Sequence, residues 1–512
     1  MTSRPLHLRR ALAAAAVSTV AAVALVGVPT AHADPLDDGQ WWRTAMGVDE
    51  LNRTGAGQGV TVAVIDGPID AGVPELRGRV ASSTTECLTK TGGPQSAGAK
   101  GRAADHATSM ASLVVGSGKG TAAGGRGIAG IAPRATVRHY AVLFADTTDG
   151  GRDGCRLDVS GLDQSGRATA RAIRQAVKDG ARVLSISLSV DYDSELVGAL
   201  LDAYKAGAIV VGTTNNDTKN VFWPGIGNGV VTVTHVDAKG NLDSSALRKS
   251  PMLDFAAPGS KVASGGSGSS GWRSDVIADG ASQATAITAG GLAAIWSAHP
   301  DATGNQVLQA ARQAVGIRAK DGKYFTWFRR VGSNLPVPTG KTESYGFGIF
   351  APADAVKLDV TSLPNTNPMV ADKGVVEPTA EQIAQATAGT ANASPSTSTT
   401  ASPSASPSTS GAEAAPATSD DTGGDEEDTG EGSAFVWLAA AVVLAALVPL
   451  ALLLRRRAGG AAPARGGDGH ESGAHGIHDT HGIQDTHGTH DRTAATDGVA
   501  ATTKEHSNGV DR

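Results

Sequence analysis

Three segments of the chain carry side chains of the kinds used in nucleophilic catalysis. Asp66 and Gly67 follow an apolar run, His106 stands near the start of a segment of small residues, and Ser282 stands at the start of another. A carboxylate can orient an imidazole, the imidazole can take a proton from a hydroxyl, and the hydroxyl oxygen can then attack a carbonyl carbon. Each residue alone has a simpler interpretation, as a turn aspartate, a structural histidine or a helix N-cap. Only their combination indicates catalysis.

The elements expected around these residues alternate between strands and helices. Continuous apolar runs rich in β-branched residues predict strands covered on both faces, at residues 60–65, 137–143, 183–188, 208–211 and 230–236. Helical patterns over residues 168–179 and 194–206 end at glycines that stop a helix, Gly180 and Gly207. The alternation predicts an α/β domain with a mainly parallel sheet, whose active site lies at the carboxyl ends of the strands. Asp66 follows the first strand at such an end.

The helix predicted after Ser282 is apolar on all sides. It contains Ala289, Gly290, Leu292 and Ile295 and stops near His299. A helix of this composition must be buried, and a serine at its start meets the positive end of the helix dipole. Those are favourable conditions for an anionic intermediate.

The net charge and the N-terminal segment indicate the class of protein and the bounds of the folded domain. The 512 residues carry a formal net charge of −6, which gives no basic field for nucleic acid. Residues 1–33 have a basic start, an apolar run and small residues at a cleavage position, and this pattern predicts a secretory signal. Residues 60–362 are left as the folded domain, preceded by a short extension at residues 34–59.

The C-terminal part predicts membrane attachment. Residues 363–433 are rich in Ala, Ser, Thr and Pro and in acidic residues, which predicts a disordered stalk. Residues 434–454 carry no charge, are long enough to cross a bilayer and are followed by Arg455-Arg456-Arg457. We therefore expect a single-pass type I protein of the cell membrane with an extracellular catalytic domain. The His- and Gly-rich residues 455–512 predict a disordered cytoplasmic tail, with weak metal binding as the alternative.

Taken together, the motifs resemble the subtilase family, the subtilisin-like serine endopeptidases also called peptidase S8. The order Asp, His, Ser along the chain is the known order in subtilisin, and this chain matches it. Further segments resemble family motifs, at residues 127–133, 185–188, 210–216 and 255–259. The resemblance implies a subtilisin-like three-layer α/β fold with a mainly parallel sheet flanked by helices. No cofactor and no metal site are predicted: some subtilases bind calcium, but Asp146, Asp149 and Asp153 form no recognisable ligand loop.

The same resemblance assigns roles to individual residues. Ser282 is expected to be the nucleophile, His106 the general base and then the general acid, and Asp66 the group that fixes the imidazole tautomer. Asn216 falls on the oxyanion-hole asparagine. The family's substrate-lining segment falls on Ser187, Leu188 and Ser189, against which a peptide would lie extended.

The arrangement of the whole chain is most similar to the mycosins, membrane-anchored subtilases associated with type VII secretion. Signal, short extension with Trp41-Trp42, protease domain, stalk and one C-terminal helix follow in the same order. The resemblance implies a membrane-tethered extracellular endopeptidase acting on secreted or cell-envelope proteins. Its implied partners are a polypeptide substrate, the cell membrane and components of type VII secretion, with no nucleic acid. The extension is too short for a folded inhibitory pro-domain and is expected to pack on the domain.

Five positions near the motifs depart from the family pattern. They are Pro68, Ala107, Asn215, Ala281 and Ile287. None removes a catalytic atom, but Ala107 lacks the freedom of glycine and Ala281 lacks a hydroxyl that would brace the oxyanion site. The alternative hypothesis is therefore a weak or inactive pseudo-protease that binds peptides or scaffolds a secretion complex.

The chain has two cysteines, Cys87 and Cys155, and each lies in an insertion between family motifs. An extracellular compartment favours a disulfide between the two insertions. Two separate thiols are the alternative.

Overall fold

A computed structural model describes residues 34–144, 154–160, 162–214, 216, 219–246, 249–316, 341–371 and 376–388. The predicted signal at 1–33, most of the stalk, the predicted membrane helix at 434–454 and the tail at 455–512 lie outside these residues. Within the described part of the chain, no helix is both long enough and apolar enough to cross a bilayer.

The centre of the fold is a large sheet, which in the described residues has nine strands. They are β1 (Thr61–Asp66), β2 (Val80–Thr84), β5 (Thr136–Ala141), β6 (Val183–Ile186), β7 (Ile209–Thr213), β8 (Val231–Val236), β9 (Phe255–Pro258), β14 (Val315–Gly316) and β15 (Gly348–Phe350). Their order across the sheet is β14-β15-β9-β8-β7-β6-β1-β5-β2, and every pair is parallel except β14 with β15. The predicted mainly parallel α/β architecture is confirmed.

Smaller hairpins lie outside this sheet. β3 (Ser117–Ala122) pairs with β4 (Arg126–Ala129), β10 (Val262–Ala263) with β13 (Ile277–Ala278), and β11 (Gly266–Gly268) with β12 (Gly271–Arg273), all antiparallel.

Ten α-helices are present in the described residues. They are α1 (Pro35–Gly39), α2 (Trp41–Ala45), α3 (Val48–Thr54), α4 (Arg102–Val115), α5 (Ser165–Lys178), α6 (Glu195–Lys205), α7 (Ala281–Ala298), α8 (Gly304–Gln313), α9 (Pro352–Ala355) and α10 (Ala380–Thr387).

Helices cover both faces of the sheet. Side chains alternate along β1, so Val62 and Val64 enter the apolar cluster that contains α4, α7 and α8, whereas Ala63 and Ile65 enter the cluster that contains α5 and α6. Burial on both faces explains why the strand is apolar without interruption. The result is a three-layer arrangement in which Asp66 ends β1 at the carboxyl edge.

Helix α7 runs through the densest part of the core. Its residues Ala284 to Trp296 are all buried. A Cβ on Gly290 would lie 2.3 Å from Cγ2 of Ile131, and one on Gly291 would lie 2.5 Å from the Phe350 ring. Small residues therefore allow the helix to approach its neighbours closely, which accounts for its Ala- and Gly-rich sequence.

The N-terminal extension packs on the domain through three short helices. Leu36 and Trp42 are fully buried in the same apolar cluster as α7. The Arg43 guanidinium donates to the carbonyl oxygens of Ala129 and Gly130, at 2.8 and 3.1 Å. Burial of these side chains makes the extension part of the domain core.

The C-terminal side of the domain differs from the sequence-based boundary. The composition predicts a disordered stalk from residue 363, but residues 363–371 and 376–388 lie on the domain and include helix α10. The physical reason is the burial of Met369 and Ile383, which are 1% and 5% exposed. Met369 joins the cluster of α4, α7 and α8, and Ile383 joins the cluster of α5 and α6. These buried side chains, with main-chain hydrogen bonds, order a segment whose composition resembles a linker.

The structure joins Cys87 and Cys155 in a disulfide, with their Cα atoms 5.3 Å apart and a separation of 68 positions in sequence. The bridge ties two segments beside β5, since the Cys87 sulfur also contacts the Ala141 carbonyl oxygen.

Replacing both cysteines by alanine is expected to lower the free energy of unfolding by roughly 4 kcal/mol, because the unfolded chain regains the entropy of a loop this long. Urea denaturation of the wild type and the double variant, without reductant, measures the difference. The reduced wild type serves as a control and should match the double variant. A loss below about 1 kcal/mol would show that the bridge does not constrain the unfolded chain.

Candidate active site

Three neighbouring strands bring polar residues to one edge of the sheet. β1 ends at Asp66, β6 is followed by Ser187, and Asn216 stands three positions after the end of β7. Because these strands are parallel and adjacent in the order β7-β6-β1, their carboxyl ends lie side by side. The starts of α4 and α7 supply His106 and Ser282 to the same edge.

Asp66 and His106 form a short hydrogen bond. Nδ1 of His106 lies 2.7 Å from Oδ1 of Asp66, and the same oxygen accepts the Gly67 main-chain N–H at 2.7 Å. An ionised carboxylate only accepts, so Nδ1 carries the proton and Nε2 carries the lone pair. The Asp66 side chain is 3% exposed and that of His106 is 49% exposed. A buried carboxylate thus orients an imidazole whose basic nitrogen is accessible.

A second histidine supports the turn that holds Asp66. His139 on β5 is fully buried, and its Nε2 lies 2.8 Å from the Gly67 carbonyl oxygen while its Nδ1 lies 2.8 Å from Oγ of Ser83. The carbonyl requires a donor, so Nε2 carries the proton and Nδ1 accepts from the Ser83 hydroxyl. Burial lowers the pKa of His139 and keeps the ring neutral.

Sequence reasoning did not identify His139. In the structure, parallel pairing sets it opposite Val64, two residues before Asp66. The signal available in the sequence was a histidine inside the strand predicted at residues 137–143.

Ser282 is the second residue of α7 and exchanges two hydrogen bonds with Ser187. The Ser282 hydroxyl donates to the Ser187 carbonyl oxygen at 2.9 Å, and the Ser187 hydroxyl donates to the Ser282 carbonyl oxygen at 3.0 Å. The Ser282 hydroxyl is therefore held against the segment expected to bind substrate. To donate to His106, its hydroxyl must turn away from Ser187. Catalytic hydrogen bonds often align only when substrate is bound.

Asn216 lies against the start of α7. Its Oδ1 accepts the Ala281 main-chain N–H at 2.9 Å. Since that N–H can only donate, the contact fixes which end of the amide is oxygen and directs Nδ2 away from Ala281. A Cβ on Gly280 would lie 3.1 Å from Nδ2 and 3.2 Å from Oδ1 of this amide. Glycine at position 280 therefore leaves room for the asparagine.

Two of the departures from the family pattern are accommodated by the backbone. Ala107 lies inside helix α4, so no left-handed conformation is required of it. Ala281 braces Asn216 through its main-chain N–H, which any side chain leaves in place. Ile287 is buried within α7, and Pro68 is buried next to the Asp66 turn. Asn215 lies outside the described residues.

The segment expected to line the substrate follows β6 directly. Ser187 and Leu188 are buried and Ser189 is partly exposed. Ser187 contacts Ser282, so the segment lies beside this serine. Among the described residues, no three His, Cys, Asp or Glu side chains are grouped closely enough to hold a metal ion.

The arrangement can carry out acyl transfer. It combines a hydroxyl, an imidazole oriented by a buried carboxylate, and an amide donor beside the N-terminus of a buried helix. These are the parts needed to form and stabilise a tetrahedral oxyanion.

Comparison with known proteins agrees with this chemistry. The model of the family described as "Subtilase family", Peptidase_S8, matches residues 57–348. The matched span is more than half of the chain and contains Asp66, His106, Asn216 and Ser282.

Solved structures of three proteases are also similar. The chain is 18% identical to fervidolysin from Fervidobacterium pennivorans, described as a keratinolytic enzyme related to subtilisin, over 66% of this chain and 49% of that one, with a TM-score of 0.49. It is 24% identical to a protease from Pseudoalteromonas arctica, and the match covers 63% of this chain and 97% of that one, with a TM-score of 0.49. It is 21% identical to MycP1 from Mycobacterium smegmatis, and the match covers 66% of this chain and 88% of that one, with a TM-score of 0.47. The chain thus spans about half the length of fervidolysin.

Proposed function

Since this chain belongs to the subtilase family of serine endopeptidases, we propose that it hydrolyses peptide bonds of secreted or cell-envelope proteins with Asp66, His106 and Ser282 as its triad. The observation that carries the proposal is the 2.7 Å hydrogen bond between the buried Asp66 carboxylate and His106, at the edge of the sheet where Ser282 lies in the first turn of α7. That bond leaves Nε2 as the base, which is the atom a hydroxyl nucleophile needs.

In the acylation step, Nε2 of His106 takes the Ser282 proton while Oγ attacks the scissile carbonyl carbon. The negative charge that develops on the carbonyl oxygen is held by Nδ2 of Asn216 and the Ser282 main-chain N–H. His106 then gives its proton to the leaving amine. Water repeats the sequence on the acyl-enzyme and releases the second product.

Substrate lies extended along Ser187, Leu188 and Ser189 in this proposal. The segment continues the line of β6 beside Ser282, and an added peptide strand would bring its carbonyl to Oγ. Because Ser187 already holds the Ser282 hydroxyl, substrate entry is the event that releases the hydroxyl toward His106.

Asn216→Ala is expected to lower kcat about a hundred- to a thousandfold with little change in KM, because its amide acts mainly on the transition state. The magnitude is that known for the same substitution in subtilisin, another subtilase, and is carried over from it. Steady-state hydrolysis of a peptide substrate measures both constants. Asn305→Ala, on helix α8, is the matched control, and equal kcat values in the two variants would remove Asn216 from the oxyanion site.

The location proposed for this activity is the outer face of the cell membrane. The signal at residues 1–33, the apolar residues 434–454 and the three arginines that follow support a type I orientation. In intact cells, added protease should then remove the catalytic domain and spare an epitope at the C-terminus. Loss of both the catalytic domain and the epitope, or retention of both, would contradict this orientation.

The wider role proposed is in type VII secretion, with components of that system as partners. The support is the sequence resemblance to the mycosins in the order of signal, Trp-containing extension, protease domain, stalk and anchor. Co-purification of the tagged full chain with secretion components from membranes of its own cells tests this role.

A second candidate function is a pseudo-protease that binds peptides or scaffolds a complex. The observation that favours it is the Ser282 hydroxyl, which donates to Ser187. Stopped-flow hydrolysis of an activated ester by the full chain separates the two functions. An enzyme that forms an acyl intermediate releases about one equivalent of leaving group in a rapid burst. A pseudo-protease releases none above the Ser282→Ala background.

A further inference from the structure

A segment outside the predicted domain lies close to the active-site loops. Residues 364–371 and 376–388, which we call the C-terminal strap, continue beyond the predicted boundary at 362. Helix α10 in the strap begins with a capping box between Thr379 and Gln382 and buries Ile383 beside α6. A helix of eight residues is not stable alone, so its order depends on these contacts.

The strap binds the connection between β7 and β8, which also carries Asn216. Asn228 in this connection is 1% exposed, and its main-chain N–H donates to the Glu377 carbonyl oxygen at 2.9 Å. Its side-chain amide donates to the Ala371 carbonyl oxygen at 3.2 Å and accepts the Ala371 N–H at 2.7 Å. The neighbouring Gly229 carbonyl oxygen accepts from the Asn367 amide at 3.0 Å.

The strap also reaches the connection between β6 and α6, which carries Ser187, Leu188 and Ser189. The Tyr192 hydroxyl donates to Oε2 of Glu377 at 3.0 Å. The hydrogen bond to this carboxylate raises the pKa of Tyr192. One residue, Glu377, therefore binds both connections, one through its carbonyl oxygen and the other through its carboxylate.

The two connections also contact each other next to this point. The Val190 N–H donates to the Trp223 carbonyl oxygen at 2.9 Å, and the rings of Tyr192 and Trp223 have their centroids 5.3 Å apart. One of these connections carries Ser187, Leu188 and Ser189, and the other carries Asn216. Glu377 bridges them from outside.

We infer that Glu377 is a positioning residue, which through Tyr192 and Asn228 holds the substrate-binding segment in register with the oxyanion side of the site. The inference rests on the proposed function and extends it to the recognition of extended peptides. Both Tyr192 and Glu377 are exposed, so their hydrogen bond adds little to the stability of the domain. The hydrogen bond instead fixes the position of the substrate-binding segment. Its loss should therefore affect the binding of a substrate that occupies the whole segment.

The test uses the full chain with three single substitutions and one double substitution. Glu377→Ala removes the acceptor, and Tyr192→Phe removes the donor while keeping the ring against Trp223. Glu381→Ala is the matched control, since Glu381 is an exposed acid of the same strap and accepts from Gln385. For each variant, KM and kcat for an extended peptide, the acylation burst with a small activated ester and the thermal midpoint are measured.

We expect KM for the extended peptide to rise about three- to tenfold in Glu377→Ala and in Tyr192→Phe, the size expected for losing one exposed hydrogen bond. The double variant should be no worse than either single variant, because both remove the same contact. The ester burst should be unchanged, since a small ester does not fill the segment. Glu381→Ala should behave as the wild type.

Two results would overturn the positioning role alone. One is an unchanged KM in every variant together with a normal ester burst. The other is a parallel loss of peptide affinity, ester burst and thermal stability, which indicates a general structural contact. Absence of an ester burst in the wild type overturns the proposed function, and the positioning role with it.

Discussion

A chain with alanine at position 282 is expected to lose peptide hydrolysis by about six orders of magnitude in kcat. No other side chain described at this edge offers a hydroxyl at the start of a buried helix next to the Asp66–His106 pair. The size of the loss is the one known for the same substitution in subtilisin, and membership of the family carries it over. Hydrolysis of a peptide substrate by the purified full chain measures it.

The control for this substitution is Ser297→Ala, at the other end of the same helix. The Ser297 hydroxyl accepts the Gly57 N–H and donates to the Ala294 carbonyl oxygen, so its loss affects packing and not the site. We expect Ser297→Ala to lower the thermal midpoint and retain kcat. Ser282→Ala should retain the thermal midpoint and lose kcat. Peptide hydrolysis by Ser282→Ala at a tenth or more of the wild-type rate would exclude Ser282 as the nucleophile.

Asp66→Ala is expected to lower kcat by about four orders of magnitude, again the size known from subtilisin. The Asp66 carboxylate lies 2.7 Å from Nδ1 of His106, and without it the proton is no longer held on Nδ1. The imidazolium formed during acylation also loses the negative charge beside it. The Gly67 N–H also loses its acceptor. The loss is smaller than for Ser282→Ala because the nucleophile and the oxyanion donors remain.

Asp105→Ala provides the comparison for Asp66. Asp105 precedes His106 directly, but its carboxylate accepts from the Ser267 N–H at 2.9 Å and from the Ser267 hydroxyl at 2.6 Å. We expect its replacement to change kcat less than tenfold. If the two aspartate variants lost activity equally, the orienting role assigned to Asp66 would be wrong.

The sheet and the edge that carries the site were predictable because local sequence encodes them. β-branched runs buried on both faces predicted β1, β6, β7 and β8, each within about two residues at its ends. Parallel strands then place Asp66 at the carboxyl edge without further information. The all-apolar pattern after Ser282 predicted α7, since a helix without a polar face has to be buried.

The strap was not predictable because its order comes from distant contacts. Its composition resembles a linker, and its structure comes from contacts such as the pairing of Ala371 with Asn228 and the burial of Met369 and Ile383. The first of these contacts joins residues 143 positions apart, beyond the reach of any periodic pattern. For the same reason the composition shift near residue 363 marked the boundary too early.

The hydrogen bond of Ser282 to Ser187 also could not be predicted. Motif order indicates which residues form a triad, but the direction of one hydroxyl depends on which acceptor lies nearest in the folded chain. Here the Ser187 carbonyl oxygen is 2.9 Å away. This contact is the feature that keeps the pseudo-protease hypothesis open beside the enzyme.

Labelling of the full chain with a fluorophosphonate probe, followed by mass spectrometry, tests most directly whether His106 and Asp66 activate Ser282. Such a probe reacts with a serine only where a base and an oxyanion site activate the hydroxyl. We expect one adduct, on Ser282 in the wild type, that is absent from Ser282→Ala and strongly reduced in Asp66→Ala. No adduct in the wild type, or equal labelling of Ser282→Ala, would contradict an active triad.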